Sequence, residues 1–150
     1  MPRKMRISDQ EELKLARSFE FGAYVMITQY LARAHGPEEL RRFARFWAKA
    51  AAATRRTMLE RSRKSFLAAE ARIEKVWVGR ETTKLNDSEY AGIVKACPIR
   101  ALTNRNRAAL PIDYFCDHIC SIIYPKGYRL LGLNGRVEKT KDGCVVEIVS

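Results

Sequence analysis

All four cysteines of the chain, Cys97, Cys116, Cys120 and Cys144, lie in its C-terminal half. Cys97 is followed by Pro98 at the end of an apolar run. Proline suits the first position of a helix, so Cys97 falls at or near a helix N-cap. Free N–H groups and the helix dipole favour a thiolate there, and Arg100, one turn in, adds positive charge. Such a thiol can act as a nucleophile, bind a metal or sit beside an anion site. It can equally be a small buried hydrophobe.

Cys116 and Cys120 are four residues apart, which makes them neighbours on a helix. At about 100° per residue, Cys116 faces inward with Ile119 and Ile123. Asp113, Asp117 and Cys120 flank that face, and His118 points away towards solvent. A catalytic Cys–His pair is therefore not expected from adjacency in sequence. Cys144 opens the last strand and shares a face with Val146 and Ile148. The spacing predicts that Cys97, Cys116 and Cys144 meet around one cavity, from three different elements.

The order Ala96-Cys97-Pro98, then Phe115-Cys116-Asp117-His118, then Gly127-Tyr128, then Gly143-Cys144-Val145-Val146-Glu147-Ile148-Val149 resembles the L-2-amino-thiazoline-4-carboxylic acid hydrolase family. A more distant likeness in layout is to vinyl-reductase-type sensor domains. The hydrolase resemblance implies opening of a cyclic amidine-like thiazoline, with Cys97, Cys116, Asp117 and Cys144 as the catalytic set. By chemical type, a Cys–carboxylate pair supplies nucleophile and base. Arg100, Asp113 and Cys120 then contact the substrate, and Arg100, Arg105 or Arg107 holds its carboxylate. The alternative is a non-catalytic ligand-binding or zinc-binding module of the same fold. Cys97, Cys116 and Cys144 with Asp117, Cys120 or Glu147 make a four-ligand set of the kind found in structural zinc sites. No CxxC unit is present, so a zinc ribbon fails on spacing.

The elements that hold these residues follow from periodicity. Ser8 and Glu11 form a capping box, so a helix starts near Asp9. Leu15, Phe19, Ala23, Met26, Tyr30 and Ala34 recur at helical spacing as its core stripe. Gly36 stops it and Pro37 starts the next, which runs to about Lys64 with Leu40, Phe43, Trp47, Ala50, Thr54 and Met58 inward. The tight link makes the two helices an antiparallel hairpin. Ile73 to Val78, Thr82 to Leu85 and Ala91 to Ala96 then pattern as short strands. A helix follows Pro98. Another spans about Pro111 to Tyr124, ending before Pro125. The tail holds two or three strands, with turns at Asn134-Gly135 and Asp142-Gly143.

The predicted fold is α+β: one domain over residues 1–150, with a long N-terminal helical hairpin packed on a small antiparallel sheet beside further short helices. The net charge of +11 favours anionic partners. The stripe Arg41, Arg45, Lys49, Arg56 and Arg63 carries no interleaved aromatic, so specific nucleic-acid binding is not expected. A small carboxylate is the expected partner, and a homo-oligomer is possible. No apolar run reaches the roughly 20 residues that span a bilayer, and the N-terminus lacks a secretory pattern. A cytoplasmic protein with reduced thiols is the expectation.

Overall fold

A computed structural model describes residues 8–105 and 115–150, without the side chains of residues 9 and 103–105. Helix α1 (Asp9–His35) opens with the expected capping box: Glu11 N–H donates to Ser8 Oγ, and Ser8 N–H donates to Glu11 Oε2 at 2.8 Å. Gly36 takes φ +80°, a region that disfavours side chains, and lets Pro37 begin α2 (Pro37–Arg61) at once. α2 ends earlier than the sequence suggests. Ser62 is extended, and its hydroxyl accepts from Ser65 N–H to start α3 (Arg63–Val78).

That third helix corrects the expectation of a strand at Ile73–Val78. Its inner face is Phe66, Leu67, Glu70, Ala71, Glu74 and Val78. The helical repeat is complete, but two of its buried positions are glutamates, so apolar residues alone do not reveal it. α3 closes on Gly79, left-handed at φ +71°.

The sheet is four-stranded and antiparallel in the order β1-β2-β4-β3, from β1 (Glu81–Leu85), β2 (Glu89–Val94), β3 (Asn134–Lys139) and β4 (Cys144–Val149). Two hairpins meet where β2 pairs with β4, Val94 opposite Cys144 and Tyr90 opposite Ile148. Asn134-Gly135 is not a turn, as its sequence suggests, but the start of β3. A Cβ at Gly135 would lie 2.5 Å from the Tyr128 ring, so glycine is needed there for close packing. The turn expected at Asp142-Gly143 is present between β3 and β4, closed by Thr140 N–H donating to Gly143 O.

Between the hairpins lie α4 (Pro98–Arg105), a π-helical turn (Cys116–Cys120) and α5 (Ser121–Arg129). α5 continues through Pro125 rather than ending before it. The wide π turn sits one turn upstream, where it relieves the crowding that a proline ring causes four residues back. α3 and α5 lie on the sheet, α2 packs on both, and α1 packs on α2 and α4. The α+β class therefore holds: the helical hairpin shares its hydrophobic clusters with the sheet, Ala52 with Tyr90, Val146 and Ile148, and Phe21, Val25, Leu40 and Ala44 with Val94.

The helix faces also differ from the expected ones. In α2 the fully buried residues are Leu40, Ala44, Ala48 and Ala52; Phe43, Trp47 and Met58 are half-buried, and Ala50 and Thr54 are exposed. The small alanines bring α2 close to its neighbours. In α1 the buried residues are Phe21, Val25 and Thr28. The stripe expected to be core is on the outside, with Phe19 74%, Met26 65%, Tyr30 65% and Leu15 53% exposed. α1 has two apolar faces, and spacing alone does not say which one the fold uses.

Candidate functional site

The expected site residues divide into a thiol group that assembles and polar residues that are engaged elsewhere. Cys97 caps α4: its carbonyl accepts from Ala101 N–H at 3.0 Å. The N–H groups of Arg100 and Ile99 donate to its sulfur, as an N-cap position implies. Burial outweighs them, however, and pushes the Cys97 thiol up rather than down. The helix terminus is thus where the sequence places it, but partial burial of the sulfur opposes the thiolate that the terminus favours.

Cys116 and Cys120 sit on the π turn and hydrogen-bond to one another. That bond, with burial, drives the Cys120 thiol well up. Cys144 lies across from Val94 on β4, and its thiol is raised by burial against the opposing pull of Arg80. Each of Cys97, Cys120 and Cys144 lies close enough to the other thiols to be influenced by their charge. All four cysteines are half-buried, and Cys97, Cys120 and Cys144 pack against the cluster that contains Phe115, Ile119 and Val94.

The polar residues expected around them turn away. Asp117 is exposed and accepts from Lys139 Nζ at 2.8 Å. His118, expected to face solvent, is half-buried and accepts from Arg41 Nε at 3.3 Å through Nδ1. The π turn rotates it away from the position that a regular helix would give. Arg100 is buried and donates to the carbonyls of Thr140, at 2.9 Å, and Gly143, at 3.3 Å. It ties α4 to the β3–β4 turn, a structural task that the expected carboxylate clamp does not share. Asp113 and Arg107 lie outside the described residues, as does the side chain of Arg105. Among the described residues, no group of three or more His, Cys, Asp or Glu side chains is arranged to hold a metal ion.

A second polar group was not expected from the sequence at all. Arg80, just past α3, is 1% exposed. Its Nη1 lies 2.7 Å from Glu74 Oε2, and its Nη2 donates to Tyr124 Oη at 3.0 Å and approaches Cys144 Sγ at 3.8 Å. Burial opposes its charge, but Tyr124 and Glu74 outweigh that and raise its pKa. Tyr124 Oη donates to Glu74 at 3.3 Å, and Tyr128 Oη donates to Glu70 at 2.7 Å. Arg55 Nε completes the chain, donating to Glu70 at 2.7 Å. Burial pushes Glu74, Tyr124 and Tyr128 up. Gly92 lets the Arg80 stem cross β2, since a Cβ there would lie 2.7 Å from Arg80 Cγ. Among the described residues, Arg80 Nε and Tyr90 Oη have no hydrogen-bond partner. A slot of ≈ 70 Å³ between Trp47, Trp77, Ile123 and Leu131 reaches this network at Arg55 and Glu74. It has room for only a few atoms.

The larger opening lies on the other side of Trp77. A cleft of ≈ 430 Å³ is lined by Phe21, Trp77, Val78 and Leu102, with Lys14 and Arg17 of α1 among its polar residues. It borders Ala96 and Pro98, on either side of Cys97. The C-cap turn at Gly79 forms part of its wall. This volume is within the range of small-molecule sites, and an apolar lining with a few charges is their usual composition.

No family model matches the chain, and no curated protein matches it. Among solved structures, it is similar to a trafficking protein particle complex subunit 3 from Naegleria fowleri, covalently bound to palmitic acid. The TM-score is 0.46 and the identity 12%, over 94% of this chain and 96% of that one. A likeness of that degree carries no argument about function. The resemblance to the thiazoline-carboxylate hydrolases is corrected. No family model supports it, and Asp117 and Arg100 are bonded away from the thiols.

Proposed function

We propose that the chain is a non-catalytic binding module that takes a small apolar carboxylate in the cleft between α1, the end of α3 and α4. The observation that carries this reading is the cleft itself: ≈ 430 Å³, with Phe21, Trp77, Val78 and Leu102 for a hydrocarbon or ring, and Lys14 and Arg17 for an anionic head. Among the described residues neither Lys14 nor Arg17 forms an ion pair, so their charge is available to a ligand. The surroundings of the described thiols favour binding over catalysis. Burial raises the Cys97 and Cys144 thiols, and the bond to Cys116 together with burial raises that of Cys120. Asp117 and His118, the acid–base candidates nearest Cys116 in sequence, face Lys139 and Arg41.

The test uses Trp77 as reporter. Short fatty and aromatic carboxylates, each beside its uncharged amide, are titrated against tryptophan fluorescence in a Trp47→Phe background. A carboxylate should change the Trp77 signal and raise the melting temperature, and its amide should bind at least about tenfold more weakly. Lys14→Glu with Arg17→Glu should abolish the preference. Equal binding of acid and amide, or no binding by any compound at millimolar concentration, would overturn the reading.

A further inference from the structure

The outer face of α1 is apolar, continuous and symmetric in sequence. Leu15, Phe19, Met26 and Tyr30 are each more than half exposed. At about 100° per residue they fall within one strip, with Glu12 and Arg33 at its two ends and Gly22 and Ala23 at its middle. Glu12 and Arg33 are exposed, and Gly22 and Ala23 half-buried. A Cβ built on Gly22 meets nothing within 4 Å, so a second backbone can come close there. The opposite side of the helix, at Phe21, Val25 and Thr28, faces the core.

We propose that this strip is the interface of a homodimer in which α1 packs antiparallel against α1 of a second copy, about a two-fold axis between Gly22 and Ala23. In that register Phe19 of each chain meets Met26 of the other, and Leu15 meets Tyr30. Glu12 of each meets Arg33 of the other, so opposite charges face one another at both ends. A two-fold interface must be self-complementary in this way. Few sequences put apolar against apolar, small against small and acid against base under one inversion. A shallow cleft at Met26, Gln29, Tyr30, Arg33 and Ala34 provides a seat for the opposing Leu15. The helix dipoles also oppose favourably when the two helices run antiparallel.

The four apolar residues on each side, with their flanks, bury about 1,000 Å² in all, at the lower limit of specific interfaces. A dimer of micromolar affinity follows, so the state should depend on concentration. The inference is independent of the ligand reading: Lys14, Arg17 and Phe21 lie round the helix from this strip.

Sedimentation of the full chain, from low micromolar to a few hundred micromolar, should show a shift from the 17.2 kDa monomer to twice that mass. Phe19→Glu and Met26→Glu should each raise the dissociation constant at least about tenfold with unchanged circular dichroism, because both side chains are exposed in the monomer. Glu12→Arg alone and Arg33→Glu alone should each weaken the dimer, and the two together in one chain should restore it. Residues 12 and 33 lie roughly 30 Å apart on one helix, so rescue cannot come from within a chain. A monomer at every concentration, a dimer indifferent to Phe19→Glu, or a double charge reversal that fails to rescue would overturn the proposal.

Discussion

Arg80 Nη1 and Glu74 Oε2 lie 2.7 Å apart with both side chains almost wholly out of solvent, one turn from the sheet that covers them. The pair belongs to a hydrogen-bonded group that includes Tyr124 and connects α3 to α5. Removing one partner of a buried pair strands the other's charge. Arg80→Met should therefore cost about 3–5 kcal/mol in urea denaturation. Arg80→Met with Glu74→Leu should recover most of that loss. A single variant as stable as the parent would show that Glu74 is uncharged in the fold.

Thiol reactivity follows from the same burial. Cys97, Cys120 and Cys144 are all pushed above the usual thiol range. Alkylation of Cys97, Cys120 and Cys144 in the native chain by iodoacetamide, followed by peptide mapping, should thus be slow at neutral pH and accelerate in alkaline buffer, whereas in urea all should react quickly. A fast-reacting Cys97 at neutral pH would contradict its placement.

His118 gives a pH dependence of defined sign. Burial, then the neighbouring Arg41 charge, holds its folded pKa below the usual 6.5. The folded state therefore binds fewer protons at this position than the unfolded one. His118 contributes stability above its unfolded pKa, and that contribution is lost as pH falls through the folded value. Between about pH 7 and about pH 5 the parent should lose more melting temperature than His118→Gln does. Parallel curves would remove the coupling to Arg41.

Gly143 has no left-handed requirement, yet a Cβ there would overlap the Val94 carbonyl across the sheet. Gly143→Ala must part β4 from β2 and should cost about 1–3 kcal/mol. The neighbouring Cys144 should become more reactive in the same variant, because its register with Val94 is disturbed.

The fold was legible wherever local chemistry sets it. Ser8 and Glu11, Gly36 and Pro37, and the alternation Cys144, Val146, Ile148 each specify their own backbone. What sequence alone did not reveal was set by tertiary partners. Glu70 and Glu74 are buried only because Arg55, Arg80, Tyr124 and Tyr128 meet them. An isolated reading of α3 therefore places them outside. The outer stripe of α1 was mistaken for core because it has a core's composition. At the site, the caps and faces place Cys97 at the start of α4 and Cys144 on β4, as the sequence implies. The upward shift of their thiols was not legible, since burial is a property of the whole fold. A buried Arg after a Gly C-cap, opposite a Gly in the next strand, is a signal that could have marked Arg80.

The gathered cysteines have a further consequence for the chain as a material. Folding half-buries all four sulfurs and so slows their contact with oxidants, and unfolding exposes them together. An unfolded molecule in aerated buffer can then form a wrong cross-link between any two of them before it refolds, and that molecule is lost. Loss on storage is therefore set by the fraction of molecules that are open at a given moment, and any ligand that closes the fold also slows the ageing of the sample.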